Sequence, residues 1–186
     1  MNDQEHNLIQ AARNGDQAAF GELVQQYQKR VFALAVRMCP TPELAEEAAQ
    51  EAFLAAWQGL PFFRGDSAFA TWLYRLTSNA CVDLLRKENR HQGPSLDDET
   101  VSAEVPDPTP TPEKAVEQQE LRRQIEAGLQ TLSPEHREVL LLRQMQGLSY
   151  QEIGAALSLE EGTVKSRLSR AKRQLRTILA EGNLLG

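Results

Sequence analysis

Between Gly162 and Leu179 the chain sets Val164, Leu168, Ala171, Leu175 and Ile178 at steps of four, three, four and three residues. At about 100° per residue these side chains fall within one narrow arc, which makes the segment a helix with a buried apolar edge. Lys165, Ser166, Ser169, Arg170 and Arg173 fall on the opposite side. The segment holds six basic residues (Lys165, Arg167, Arg170, Lys172, Arg173, Arg176) and no acidic one, in a chain of net charge −6. Upstream, Ser149 and Glu152 have the three-residue spacing of a reciprocal capping box and open a short helix striped by Ile153 and Leu157. Ser158 to Gly162 is too short and too polar for anything but a turn. A capped short helix, a tight turn and a longer basic helix make a helix-turn-helix, which offers side chains to base edges in the major groove while its cations meet phosphates. A lone basic helix would be read more simply as a solvated face; the capped helix and turn in front of it favour DNA.

Charge divides the rest of the chain. Residues 93–118 carry one base, Lys114, against seven acids, and five of the nine prolines, mostly in Pro106-Asp-Pro-Thr-Pro-Thr-Pro. Such a composition neither nucleates a helix nor buries a core. The stretch is expected to be an irregular acidic linker between domains spanning 1–92 and 119–186. It is either a passive tether or a segment that occupies a basic channel on a partner.

The N-terminal part reads as helices throughout. A short one covers Asn7 to Asn14, and a second runs from a cap at Asp16 to Met38, stopped by Cys39-Pro-Thr-Pro. Pro42 suits the first turn of a third helix, expected to reach about Gln58. A loop, Gly59 to Asp66, precedes a fourth helix from Ser67 to about Arg90. No β-alternation is present, so the expected fold class is all-α: two small helical domains, each of about four helices, joined by the linker.

Two further faces are candidates for binding. On the third helix Leu44, Ala48, Ala52 and Ala55 form a slim stripe for internal packing, leaving Glu46, Glu47, Gln50, Phe53, Leu54 and Trp57 around the other side. That acid, amide and aromatic mixture suits protein docking, unless the apolar three are simply core. On the fourth helix Phe69, Trp72, Leu73, Leu76, Ala80 and Leu84 are the expected core stripe, with Arg75, Ser78, Asn79 and Arg86 off it. Next to the loop Phe62-Phe63-Arg64 these groups suit an unstacked single-stranded base, although both phenylalanines would serve equally as core anchors.

Several classes are disfavoured. There is no phosphate-binding loop, no H-E-x-x-H and no G-x-S-x-G, so no enzyme is expected. Cys39 and Cys81 lie far apart outside any C-x-x-C, and His6, His91 and His136 are scattered. The cysteines are expected to be small buried hydrophobes, with no metal or other cofactor. The polar start and the lack of any apolar run of about 20 residues lead to an expectation of a cytoplasmic protein without membrane insertion.

Three segments together resemble bacterial RNA polymerase sigma factors of the extracytoplasmic-function (ECF) group in the sigma-70 family. Ala48-Ala-Gln-Glu-Ala-Phe-Leu-Ala-Ala-Trp is similar to the family's polymerase-docking helix. The run from Phe63 to Lys87 is similar to its promoter −10 segment. Leu132-Ser-Pro-Glu-His-Arg-Glu-Val-Leu-Leu-Leu-Arg, Leu148-Ser-Tyr-Gln-Glu-Ile-Gly and Gly162-Thr-Val-Lys-Ser-Arg-Leu are similar to its −35-binding domain.

The resemblance implies a factor that binds core RNA polymerase, directs it to promoters and helps open the duplex, with no catalytic residues of its own. It implies that Glu47, Gln50, Glu51 and Leu54 grip the β′ coiled coil, and that the β flap is a second polymerase contact. Phe62, Phe63, Arg64, Arg75 and Asn79 would meet the single-stranded −10 element; Lys165, Ser166, Ser169, Arg170 and Arg173 would meet the −35 duplex. Members of the group are commonly held by an anti-sigma factor, so such a partner is expected. Two positions depart from the family pattern. Ser158 stands where a turn glycine is common, and Glu160 stands where a serine usually caps the recognition helix. The competing reading is a stand-alone helix-turn-helix activator or repressor. A repressor of that kind normally dimerises over two half-sites, and no spare apolar helix is available for it.

Overall fold

The computed structural model describes residues 3–91 and 112–184, and the regular structure among them is helical throughout. The first half contains α1 (Asp3–Arg13), α2 (Gln17–Met38), α3 (Pro42–Gly59), a single 3-10 turn (Leu60–Phe62) and α4 (Phe69–His91). The second contains α5 (Pro112–Gln130), α6 (Pro134–Gln144), α7 (Tyr150–Leu157) and α8 (Glu161–Leu184).

Local chemistry sets most boundaries. The Asp16 carboxylate caps α2 by accepting from the Ala18 and Ala19 amides at 2.9 and 3.1 Å. Helix α2 ends where Cys39 turns extended, the conformation favoured before Pro40. Thr41 caps α3 with Pro42 in its first turn. Helix α1 starts four residues before the expected Asn7: Asp3 and Glu5 occupy its first turn, where the dipole favours acids, and the Tyr27 hydroxyl on α2 donates to Glu5.

Three expectations need correction. Helix α5 begins at Pro112, so 112–118 are helical rather than irregular. Proline loses nothing in a first turn, where its missing N–H has no intrahelical partner to give up. The rest of the proposed linker, 93–111, lies outside the described residues. On α3 the buried stripe is Ala45, Ala48, Ala52 and Ala56, with Leu44 and Ala55 only half-buried. On α4, Ser78 is fully buried instead of lying off the core, and Trp72 and Leu76 are half-buried.

The reason for the last shift is how the halves pack. One apolar cluster, including Leu23, Val31, Ala56, Phe69 and Leu73, belongs to the N-terminal half alone. The other is shared: Leu34, Met38, Cys39, Cys81 and Leu84 from the first half are continuous with Leu129, Leu132, Val139, Leu142 and Val164 from the second. Helices α5 and α6 lie against α2, and α6 and α7 lie against α4.

Arg137 on α6 crosses this seam. It is 4% exposed, and its guanidinium donates to the Met38 carbonyl at the end of α2. It also donates to the Gln130 side chain at 2.6 Å and to the Gln130 and Leu132 carbonyls at 2.7 and 3.1 Å. Gln130 in turn donates to the Cys39 carbonyl at 2.9 Å. Beside Arg137, Glu138 is buried, and its pKa is pushed up to about 7 chiefly by desolvation, against the attraction of Arg167 and Arg86. Ser78 Oγ is buried beside this carboxyl and eases the shift ahead of either arginine.

Candidate nucleic-acid interface

The helix-turn-helix is assembled by short-range contacts. The Glu152 amide donates to Ser149 Oγ at 3.2 Å, and the Ser149 amide donates to the Glu152 carboxylate at 2.7 Å. These reciprocal bonds pull the Glu152 pKa below the usual carboxylate range. Helix α7 ends at Ser158, whose φ of 55° and ψ of 44° are left-handed. The Leu159 amide then donates back to the Gly154 carbonyl at 2.9 Å. A Cβ on Gly154 would meet the Leu159 carbonyl oxygen at 2.7 Å, so the tightness of the turn requires glycine there. The turn is shorter than the sequence suggests, because α8 already includes Glu161 and Gly162. The Thr163 and Val164 amides donate to the Glu160 carbonyl at 2.9 and 3.1 Å, which makes Glu160 the backbone cap.

Helix α8 buries Val164, Leu168 and Ala171 and half-buries Leu175 and Ile178. Lys165, Ser166, Ser169, Arg170 and Arg173 are all exposed on one side, as are Lys172 and Arg176. Two of them have local partners. Lys165 pairs with Glu161 at 2.7 Å, which raises its pKa, and lies 5.9 Å above the Tyr150 ring. Ser166 Oγ donates to the Thr163 carbonyl at 2.9 Å. Arg167 is half-buried, and its charge favours the ionised forms of Glu135 and Glu138.

The aromatic loop splits in two. Phe63 is half-buried, packed edge-on to Phe69 at 5.9 Å and tilted over Trp72 at 4.9 Å, so it anchors the loop to the core. Phe62 is 82% exposed, and Arg64 is exposed beside it. Asn79 is exposed and Arg75, one helical turn earlier, is half-buried.

On α3, Glu47, Gln50 and Leu54 form an exposed stripe, with Leu54 57% exposed. Glu51 flanks it, half-buried and 3.6 Å from Lys87. The aromatics of this helix turn the other way: Trp57 packs on Phe20 at 5.0 Å, and Phe53 packs on the N-terminal core. Among the described residues no cluster of His, Cys, Asp or Glu is suited to a metal ion, and no helix is long and apolar enough to cross a membrane.

Sequence reasoning missed Arg137, Gln130 and Glu138 at the seam. Their partners lie as far as 91 and 99 residues away, and a lone Arg-Glu pair in an apolar helix gives no local signal of burial.

An all-α chain with a basic helix-turn-helix in one half and an exposed acid-amide face in the other has the make-up of a DNA-binding protein of transcription. The comparisons make the class specific. Residues 23–91 match the family model of sigma-70 region 2, and residues 122–175 match that of sigma-70 region 4. The chain is 36% identical over 174 residues to the ECF RNA polymerase sigma-E factor of Escherichia coli (strain K12), covering 90% of each. It is 35% identical over 179 residues to the RNA polymerase sigma-H factor of Pseudomonas aeruginosa, covering 93% of this chain and 92% of that one. Against the ECF sigma factor SigE of Mycolicibacterium smegmatis it is 36% identical over 170 residues, covering 90% of this chain but 65% of the relative's length. Among solved structures, CnrH in complex with the cytosolic domain of CnrY superposes with a TM-score of 0.69 at 26% identity, covering 96% of this chain and 98% of that one. RpoE of Bartonella quintana, bound to the anti-sigma factor NepR, gives 0.66 at 25%, covering 87% and 96%. The chain belongs to the ECF group of the sigma-70 family, the factors that direct RNA polymerase to promoters, and it is not an enzyme.

Proposed function

We propose that the chain divides its task by region: 1–92 docks on core polymerase and handles the −10 element, 119–186 binds the −35 duplex, and 93–118 links them. The observation that carries this reading is the α8 surface, where seven polar or basic side chains (Lys165, Ser166, Ser169, Arg170, Lys172, Arg173 and Arg176) stand exposed behind a capped helix and a tight turn. Lys165, Ser166, Ser169 and Arg170 occupy the N-terminal half of α8, the part that reaches base edges in this motif, and Arg173 extends the contact along the backbone. Lys165 must exchange Glu161 for DNA, an exposed pairing of little energetic weight.

Phe62 is the side chain assigned to stack on an unpaired −10 base, with Arg64 at the adjacent phosphate, Arg75 and Asn79 following the strand, and Phe63 holding the loop. Glu47, Gln50, Glu51 and Leu54 are assigned to the β′ coiled coil, an apolar tip amid acids and an amide. For the β flap we assign a groove of about 630 Å³ whose lining includes Ile125, Leu129, Leu141, Met145, Leu175 and Leu179. An anti-sigma partner is supported by RpoE of Bartonella quintana, whose structure is a complex with one. Co-purification with core polymerase followed by run-off transcription tests the reading. A chain that binds promoter DNA tightly and specifically alone, and never associates with core enzyme, would establish the stand-alone regulator instead.

A further inference from the structure

Two adjacent acids, Glu160 and Glu161, stand just ahead of the basic residues of α8. An acid there suits the helix dipole, yet it is repelled by phosphates once DNA arrives. Glu161 lies in the first turn of α8 and is exposed, as are Lys165 and Ser169 at successive steps of four residues. These three share one side of the helix, each step being about 6 Å along its axis. Among the described residues the ion-pair partner of Glu161 is Lys165, at 2.7 Å. Lys165 also has a second support. Its ammonium lies 5.9 Å from the centroid of the Tyr150 ring, and the Arg143 guanidinium lies 5.4 Å from the same centroid. Arg143 is itself fixed by donating to the Leu148 carbonyl at 2.8 Å, and the half-buried Tyr150 packs on the shared core.

The two holds on Lys165 differ in kind. The ring attracts the ammonium charge as a whole, so it still acts when the lysine turns its N–H groups to DNA. The exposed bond to Glu161 is weak and is the one exchanged. Once released, the carboxylate is an acceptor with no hydrogen to give. In the major groove guanine N7 and O6, adenine N7 and thymine O4 are acceptors as well and repel it; hydrogen comes only from the amino groups of cytosine and adenine. Adenine N6 stands beside the acceptor N7, whereas cytosine offers its N4 amino group alone. A carboxylate therefore fits cytosine, and an amide, which donates as well as accepts, fits adenine. We propose that Glu161 is a specificity-determining residue of the −35 interface, accepting a hydrogen bond from the N4 amino group of a cytosine while Tyr150 keeps Lys165 in place beside it. This inference rests on the assignment of α8 to the −35 duplex. Within it Lys165 supplies attraction and Glu161 supplies rejection, because a base that presents an acceptor at that place meets a carboxylate.

The full-length chain, assembled with core polymerase, is offered promoter duplexes randomised across the −35 region, and the bound fraction is sequenced. Wild type should enrich cytosine at one position of one strand by about fivefold or more, the lower end for a base contact. Glu161→Ala should lose that preference, and Glu161→Gln should move it toward adenine. Glu160→Gln removes the same charge one residue earlier and should strengthen binding to all sequences alike, with the cytosine retained. In a Lys165→Ala background the cytosine preference should persist, because the carboxylate acts on the base and not through the lysine. No enriched cytosine in wild type, enrichment that survives Glu161→Ala, or a Glu161→Gln that only strengthens all sequences alike overturns the proposal. Glu161→Gln keeps the size of the side chain and decides the matter alone if circular dichroism shows that Glu161→Ala does not fold. If Lys165→Ala and Arg170→Ala leave base preference unchanged, the −35 assignment fails and takes this inference with it. If they change it while the Glu161 variants do not, the assignment stands and only this inference fails.

Discussion

Glu138 offers a test of the seam that needs no partner. Its carboxyl is buried, and desolvation raises its pKa from the ordinary 4.5 to about 7, more than Ser78, Arg167 and Arg86 can offset. Below pH 4.5 the group is protonated both folded and unfolded. Between the two values the folded chain holds a proton that the unfolded chain releases, so stability falls as pH rises and levels off above about 7. At about 1.4 kcal/mol per pH unit the ceiling is roughly 3 kcal/mol. Water at an edge of the seam retains part of the charge's solvation, and an effective interior dielectric near 20 leaves an expected loss of about 1–2 kcal/mol. Glu138→Gln keeps the shape and cannot ionise. Urea denaturation of both proteins from about pH 4.5 to about pH 8 isolates this one group in the difference. The variant should match wild type at the acid end and exceed it by about 1–2 kcal/mol at the alkaline end. A difference that does not change with pH, or a variant less stable at high pH, would refute burial of the carboxyl as the dominant effect.

The other expectations concern the turn and the binding faces. Ser158→Gly relieves a left-handed serine and should raise stability by about 1 kcal/mol, whereas Gly154→Ala should lower it by about 1–3 kcal/mol; thermal melts of the two variants should move in opposite directions. Reversing charge at Glu47 and Glu51 together should abolish pull-down of core polymerase with helicity unchanged, and wild-type capture would show that the surface is misassigned. Lys165→Ala and Arg170→Ala should each cost about 1–3 kcal/mol in −35 binding and relax sequence preference. Arg176→Ala should instead weaken all sequences alike and lower the salt slope by about one; uniform behaviour of all three in fluorescence anisotropy would mean that α8 grips backbone only.

Much of the architecture is a local matter and was legible in the chain. Ser149 and Glu152 cap α7, Asp16 caps α2, and the Val164-Leu168-Ala171 spacing turns α8. Each is settled by contacts within about one turn of helix, and that turn-scale physics repeats wherever the residues do. The basic face of α8 followed automatically, because whatever lies opposite a buried arc is outside. Periodicity names the residues that share an arc without saying which arc a distant helix will cover. Hence Ala45 and Ala56 replaced Leu44 and Ala55 in the α3 stripe, Ser78 went inside, and only Phe62 of the two loop phenylalanines stayed free. Arg137 and Glu138 depend on the meeting of the halves: the Met38 carbonyl that Arg137 reaches lies 99 residues away, and burial, more than the nearby Glu135, raises the Glu138 pKa. Only tertiary packing, by taking away water and bringing α2, α4 and α6 together, decided what these two side chains became.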